Sequence, residues 1–205
     1  MLFAPDGGFM KNVPNILTVI RILMVPLFLF SMFCRIGGNG YSHYLIAAII
    51  FAVASFTDFL DGNIARKYKI ISNFGKIADP IADKMLVCAA LISLVVKGLC
   101  NVWLVVIIMF REVAVTLVRM VALKKGIVIP AGISGKVKTV VQMIMIITAI
   151  MFIYANEKWY SFVGSDTLSI GASVNIVIGI SAFFTVLSGV IYTVKAKDIF
   201  KVKKD

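Results

Sequence analysis

Residues 58–84 read DFLDGNIARKYKIISNFGKIADPIADK, and this stretch decides how the chain folds and what chemistry it carries. It holds four aspartates, Asp58, Asp61, Asp79 and Asp83, between two long apolar runs. The chain has only ten acidic residues and is 60% hydrophobic, so this clustering is unusual. Carboxylates at the ends of apolar helices are costly unless a positive group neutralises them. The stretch therefore predicts a cation-binding site.

The composition places the chain in a bilayer. Its mean hydropathy is +0.99, which is too apolar for a soluble domain. Six apolar runs approach the roughly 20 residues that a spanning helix needs, at about 15–34, 41–60, 76–96, 102–122, 138–155 and 172–194. Because the runs do not alternate, we expect an all-α integral membrane protein, a six-transmembrane-helix bundle. The expected organisation is a cytoplasmic segment 1–14, a catalytic membrane domain 15–194 and a basic cytoplasmic tail 195–205.

The net charge of +11 is distributed unevenly along these runs. With the first terminus in the cytoplasm and alternating spans, Arg35, Lys97 and Lys158 face outward and the other 18 of 21 basic residues face inward. This bias predicts that both termini are cytoplasmic. The charges lie at span ends and form no stripe on a soluble face, which argues against nucleic acid. Anionic lipid and phosphate-bearing substrates are the expected partners.

Several single residues are less informative. The first nine residues do not resemble a cleaved signal peptide, and Met10 is an alternative start. Three cysteines without CxxC spacing favour neither a metal nor a redox role. His43, at the start of the second run, is interpreted as a helix-end residue. Arg21, inside the first run, has two open interpretations, a side chain that snorkels to the interface or a phosphate contact.

Spacing gives the aspartates a geometry. Asp58 and Asp61 are three residues apart, and Asp79 and Asp83 are four apart, so each pair shares a helix face. A short connection suggests that the two helices are antiparallel neighbours, which brings the four carboxylates to one inner pocket. At about 4 Å each pair repels by roughly 1 to 4 kcal/mol. Protonation or hard divalent cations relieve this repulsion, and oxygen ligands suit Mg²⁺ or Mn²⁺, with room for two ions.

Small residues accompany the acids. Gly62, Ala65 and Gly75 leave space for a ligand to approach a helix backbone, and Arg66 has the fork geometry that binds phosphate. Together with the carboxylates they predict a nucleotide diphosphate substrate.

Individual features of the stretch also have structural explanations. Asp79 precedes Pro80 and can cap a helix that starts there, and the pair Asp61-Gly62 can end one. The joint pattern is not explained by scaffold alone.

A second substrate carrying phosphate needs its own cations. Arg111 and Arg119 are eight residues apart, near one face of the fourth run, and Lys136 and Lys138 open the fifth. We expect these four residues to bind the acceptor phosphate. The alternative is a structural pairing of Arg111 with Glu112, although adjacent residues do not face each other on a helix.

The pattern D-x2-D-G-x2-A-R-x8-G-x3-D-x3-D resembles the signature of the CDP-alcohol phosphatidyltransferase family. The segments NVPNILTVIRIL, REVAVTLVRMVALKKGIVIP and GKVKTVVQM are similar to its phosphatidylglycerophosphate synthase branch. The resemblance implies a six-span homodimeric enzyme of the bacterial cell membrane with its active site facing the cytoplasm. It also implies transfer of the phosphatidyl group of CDP-diacylglycerol to sn-glycerol 3-phosphate, with release of CMP.

The resemblance assigns roles to the singled-out residues. It implies that the metals, Mg²⁺ or Mn²⁺, are held by Asp58, Asp61, Asp79 and Asp83, and that Asp83 is also the general base. The residues implied to bind CDP-diacylglycerol are Asp58, Asp61, Gly62, Ala65, Arg66, Gly75 and Asp79. The residues expected to bind glycerol phosphate are Arg111, Arg119, Lys136 and Lys138. A metal-bound carboxylate is a weakened base, so the double role of Asp83 is a tension.

Other functions remain open at this point. A sister enzyme would use inositol phosphate, serine or phosphatidylglycerol as acceptor, although the four basic residues disfavour serine. A cation-coupled transporter also needs intramembrane carboxylates, but it places them near the middle of the membrane. A prenyltransferase would show DDxxD clustering, which this sequence lacks.

Overall fold

The computed structural model describes the backbone of residues 7–35, 40–68, 73–124, 133–163 and 170–202. These ranges contain six helices and no strand: α1 (Gly7–Phe33), α2 (Ser42–Tyr68), α3 (Asn73–Val96), α4 (Val102–Lys124), α5 (Ile133–Val163) and α6 (Ile170–Val202). Within these ranges, the structure describes the backbone but not the side chains of residues 7–18, 58–83, 119, 123–124, 133–134, 161, 163 and 195–202. The all-helical class expected from the sequence is confirmed.

Four helices run well beyond the apolar runs, and the first of them, α1, begins at Gly7 instead of about residue 15. α2 continues to Tyr68, so Arg66 and Lys67 lie in the helix and not in a loop. α5 runs from Ile133 to Val163, beyond both ends of the fifth apolar run. α6 continues to Val202, through most of the expected tail. Lys, Arg, Ala and Glu are good helix formers, so a helix does not stop where its apolar run stops.

Successive helices run in opposite directions, and α1 lies between α2 and α3. α1 packs extensively against both α2 and α3, whereas α2 and α3 contact each other only slightly in their described parts. The expectation that the two acid-bearing helices are direct neighbours is therefore met only in part. α6 packs against α4 and α5, and α5 packs against α2, which closes the bundle.

The bundle has two unlike ends. At one end, called the aromatic end, the rings of Tyr41 and Tyr154 lie 5.8 Å apart, and Lys97 Nζ donates to Tyr44 Oη at 3.2 Å. The other end, called the acid end, contains the last turns of α2 and the first turns of α3, with their four aspartates. Because the helices alternate, the ends of α4 and α6 and the start of α5 also lie at the acid end.

The exterior is more apolar than that of a soluble protein, although the interior is an apolar core as well. Large apolar side chains cover the exterior, with Phe110 75% and Phe183 65% exposed, while Arg21, Lys138 and Gln142 are buried. Such an exterior suits lipid, where small and polar residues mediate helix packing. Among the described residues, Gly135–Tyr160 and Ile170–Val194 are long and apolar enough to cross a bilayer, and Val19–Phe33, Ser42–Thr57 and Lys84–Val96 form shorter apolar helices.

The connection from α3 to α4 is tightly specified. Gly98 has a φ of 70°, and its N–H donates to Val95 O at 2.8 Å while Leu99 N–H donates to Leu94 O at 3.0 Å. These two bonds form a Schellman motif, which requires a left-handed residue. Asn101 then caps α4, since its Oδ1 accepts from Trp103 N–H at 2.9 Å.

Candidate functional site

The backbone brings both aspartate pairs to the acid end. Asp58 and Asp61 lie in the last three turns of α2, and Asp79 and Asp83 lie in the second and third turns of α3. α3 begins at Asn73, so Asp79 does not cap it, and α2 continues beyond Asp61-Gly62 instead of ending there. The two structural explanations for these residues are therefore excluded. The positions of Gly62, Ala65, Arg66 and Gly75 also lie in these two helices, and the side chains of the whole stretch 58–83 lie outside the described residues.

The donor set at this end fits a hard divalent cation. Four carboxylates from two helices offer only oxygen ligands, which is the preference of Mg²⁺ and Mn²⁺. Among the described side chains, His, Cys, Asp and Glu form no other group of three that is able to hold a metal. His43 in particular lies at the aromatic end, with its ring centroid 4.0 Å from that of Tyr44.

Arg21 is buried at the depth of the acids. The rings of Phe28 and Phe51 lie 5.9 Å apart and set the register of the antiparallel helices α1 and α2. Arg21 lies seven residues from Phe28, and Asp58 lies seven residues from Phe51, in both cases toward the acid end. Arg21 and Asp58 therefore occupy the same level along the bundle axis. Arg21 is 2% exposed, and a side chain that snorkels to a surface would not be enclosed in this way. The snorkelling interpretation is therefore excluded.

Three charged residues form a cluster that bridges α4 and α5 through their side chains. Glu112 Oε1 binds Lys138 Nζ and lies 3.6 Å from Arg111 Nη1. Lys138 is 5% exposed, so this ion pair is shielded from solvent. The adjacent pair Arg111–Glu112 does meet, because the long arginine side chain reaches around the helix. A partly buried carboxylate thus holds two cations together on the acid-end side of the bundle.

Arg111 also contacts α6. Its Nη2 donates to Ser188 Oγ at 2.9 Å, and its aliphatic stem crosses Gly189. A Cβ at position 189 would lie 3.0 Å from Arg111 Cγ and 3.2 Å from Nε. The glycine therefore provides the space in which the guanidinium reaches its position.

Lys84 connects this cluster to the aspartates. It directly follows Asp83 in α3, and its Nζ donates to Thr116 Oγ1 of α4. Thr116 lies one turn beyond Glu112 on the same helix face. Lys84 was not predicted from the sequence, although its position beside Asp83 was a usable signal.

A cavity of about 70 Å³ opens beside the cluster. Its polar lining residues are Lys84, Glu112, Lys138, Thr139 and Gln142, and its apolar ones are Val87, Cys88, Ile108, Met109 and Val113. A larger cavity of about 430 Å³ lies at the aromatic end, bordered by Tyr41, Tyr154, Lys158 and Trp159. The smaller cavity is the candidate site because it adjoins the acids and the buried cations.

Two further expected acceptor residues lie near this end. Lys136 is in the first turn of α5 and is exposed. Arg119 lies in α4, two turns beyond Arg111, and its side chain is outside the described residues. Of the four cations expected at the acceptor site, the structure brings Arg111 and Lys138 together.

The family model that matches the chain is CDP-alcohol phosphatidyltransferase, over residues 11–192. Among curated relatives, CDP-diacylglycerol–glycerol-3-phosphate 3-phosphatidyltransferase of Bacillus subtilis is 38% identical, over 88% of this chain and 92% of the relative. The probable phosphatidylglycerophosphate synthase of Mycobacterium tuberculosis is 38% identical, over 94% of this chain and 86% of its own. A Rickettsia felis protein with the same name as the Bacillus enzyme is 33% identical, over 93% of this chain and 98% of the relative.

Proposed function

Because the chain belongs to the CDP-alcohol phosphatidyltransferase family, we propose that it transfers the phosphatidyl group of CDP-diacylglycerol to sn-glycerol 3-phosphate. The products are phosphatidylglycerophosphate and CMP. The observation that carries this proposal is the near full-length similarity, at 38% identity, to an enzyme named for that reaction. Membership of the family also disfavours the transporter and the prenyltransferase.

The buried cations support an acceptor that carries phosphate. Arg111 and Lys138 come from two different helices and meet at Glu112, beside a cavity next to the acid end. Guanidinium and ammonium groups in a shielded site bind phosphate strongly. In the proposal Arg111, Arg119, Lys136 and Lys138 bind the acceptor phosphate, which leaves its primary hydroxyl free to react.

The chemistry is a substitution at the lipid-side phosphorus of CDP-diacylglycerol. In the proposal Asp83 accepts the proton of the primary hydroxyl while the new oxygen–phosphorus bond forms. The bond to the CMP oxygen breaks, and CMP leaves with the bonding electrons. Gly62, Ala65, Arg66 and Gly75 hold the cytidine and diphosphate parts, and correct placement of both substrates supplies much of the rate.

Members of this family use divalent metal ions. In the proposal Asp58, Asp61, Asp79 and Asp83 hold two ions, Mg²⁺ or Mn²⁺. When bound, such ions neutralise charge that develops on a diphosphate. The four acids also belong to the CDP-diacylglycerol site in this proposal, because the diphosphate lies against them.

The proposed setting is the bacterial cell membrane. The apolar exterior supports six spans, and the bias of basic residues supports cytoplasmic termini and an acid end that faces the cytoplasm. A homodimer is part of the proposal, and cross-linking in native membranes would detect it.

An acceptor panel tests the function. Purified protein receives CDP-diacylglycerol, Mg²⁺ and one of glycerol 3-phosphate, inositol phosphate, serine or phosphatidylglycerol, and CMP release is measured. We expect turnover with glycerol 3-phosphate, and loss of turnover with a chelator or in Asp83→Asn. Glu157→Gln, an acid near the aromatic end, is the matched control and should keep full activity. Turnover with another acceptor, and none with glycerol 3-phosphate, would identify a sister enzyme.

A further inference from the structure

Gln142 is a buried polar residue to which the proposed chemistry assigns no role. Its side chain is 3% exposed, and its Nε2 atom has no hydrogen-bond partner among the described residues. A buried donor without a partner costs free energy, and native proteins rarely contain one without a reason. The position on α5, inside an apolar run, would otherwise suit a leucine.

Gln142 lines the same cavity as the charged cluster. The other polar groups of that lining have partners: Lys84 donates to Thr116, Lys138 binds Glu112, and Thr139 Oγ1 donates to Gly135 O at 3.1 Å. The unpartnered amide donor therefore belongs to a cavity whose other polar side chains are already held in place.

Glu112 complements the amide. The described contacts of its carboxylate with Lys138 and Arg111 both use Oε1, and no partner of Oε2 is described. Gln142 lies one turn, about 5.4 Å, beyond Lys138 on the same face of α5. The cavity thus offers a hydrogen-bond acceptor and a donor close to its phosphate-binding cations.

A hydroxyl group needs this combination, because it donates one hydrogen bond and accepts others. Glycerol 3-phosphate has two hydroxyls, of which the primary one reacts and the secondary one does not. We infer that Gln142 donates to the secondary hydroxyl of the acceptor and that Glu112 accepts from it. This assignment rests on the proposed function and makes Gln142 a residue that determines acceptor specificity.

The test compares two acceptors in the full-length enzyme. 3-Hydroxypropyl phosphate keeps the phosphate and the primary hydroxyl of glycerol 3-phosphate but lacks the secondary hydroxyl. We expect the native chain to prefer glycerol 3-phosphate by roughly tenfold or more in kcat/KM, the usual effect of one buried hydrogen bond. In Gln142→Met, which keeps the length of the side chain, the preference should disappear. The kcat/KM of Gln142→Met for 3-hydroxypropyl phosphate should stay within about twofold of that of the native chain.

Two controls separate specificity from stability. Ser181→Ala removes another buried hydroxyl without a described partner, outside the cavity, and should leave the preference intact. Thermal unfolding of Gln142→Met should match or exceed that of the native chain, because an unsatisfied donor is removed. If the methionine variant does not fold, Gln142→Leu replaces it.

Each other outcome overturns the assignment. Equal use of both acceptors by the native chain, or an equal loss for both in the variant, shows that Gln142 does not contact the secondary hydroxyl. If the native chain uses neither phosphate acceptor but releases CMP with serine or phosphatidylglycerol, the proposed function fails and the assignment fails with it.

Discussion

At the scale of single residues, Arg111 depends on the absence of a side chain at position 189. Its stem crosses Gly189 on the way to Ser188 and Glu112, with the hypothetical Cβ only 3.0 Å from Cγ. Contacts this short force one partner to move, and interiors have little free space. The glycine therefore positions a guanidinium on the neighbouring helix.

Gly189→Ala should shift Arg111 by a few tenths of an ångström and raise the KM for glycerol 3-phosphate, roughly tenfold. Stability should not fall, since alanine favours helix over glycine by about 1 kcal/mol. Gly179→Ala is the matched control, because it makes the same change on α6 where nothing lies within 4 Å. Steady-state CMP release and thermal unfolding measure both effects. Equal KM values in the two variants would contradict the role given to Gly189.

Arg21 provides a second residue-level prediction. It is buried at the level of Asp58, and we expect its guanidinium to supply positive charge for substrate phosphate. Arg21→Gln should reduce CMP release on the order of tenfold, and Arg21→Lys should restore it only in part because the fork geometry is lost. Arg35→Gln, an exposed cation just beyond the other end of α1, should keep normal activity. A fully active, folded Arg21→Gln would show that the arginine has no part in the reaction.

At the scale of elements, the turn from α3 to α4 fixes how these two helices meet. Gly98 closes α3, and Asn101 begins α4. The Asn101 N–H also donates to Asn175 Oδ1 of α6 at 2.7 Å. This turn lies at the aromatic end, so it determines the alignment of Lys84 with Thr116 at the opposite end.

Gly98→Ala should destabilise the protein by about 1 to 2 kcal/mol, since an L-residue resists the left-handed conformation. Gly40→Ala is the control, because no atom lies within 4 Å and its φ is not left-handed. Unfolding in mixed detergent measures the difference. Equal stability of the two variants would show that the Schellman motif does not contribute to the stability of the fold.

The sequence predicted elements better than contacts between them. Helical periodicity and length foretold six helices, and spacing paired Asp58 with Asp61 and Asp79 with Asp83. The predicted helix ends were wrong by about two turns, as at Tyr68. The residues that follow an apolar run can still favour helix, so the end of the run does not mark the end of the helix. The joining of Glu112 to Lys138 could not be foreseen, since no spacing rule relates residues on different helices.

The same limit applies to the candidate site. Gln142 looked like part of an apolar run, and only packing reveals that it lines a cavity while its Nε2 atom has no described partner. Likewise, adjacency on a helix suggested that Arg111 and Glu112 would not meet. A long side chain bent toward Ser188 of α6 brings the two charges within 3.6 Å.

At the scale of the whole molecule, the two ends differ in chemistry. The acid end combines carboxylates and buried cations, while the aromatic end presents Trp103, Trp159 and Tyr160 at 50% exposure or more. Aromatic residues of this kind favour membrane interfaces. The aromatic residues alone do not orient the molecule, since they favour both interfaces; it is the charge bias that predicts an orientation with the acid end inside.

Cysteine labelling in intact cells tests that orientation. Cys34, Cys88 and Cys100 are first replaced by serine, although burial already raises the pKa of the Cys100 thiol and slows its reaction. A membrane-impermeant maleimide should then label Lys158→Cys, while Lys204→Cys should react only after permeabilisation. The reverse pattern would place the active face outside the cell.

The position of α1 between α2 and α3 has a consequence for biosynthesis. α1 leaves the ribosome before the two carboxylate-bearing segments that later settle against it. Each newly inserted segment can therefore dock on a surface already present in the membrane, without waiting for its like-charged counterpart. We expect that supplying α1 as a separate polypeptide after the rest has been inserted would recover little activity, because the two repelling segments would lack their common support during insertion.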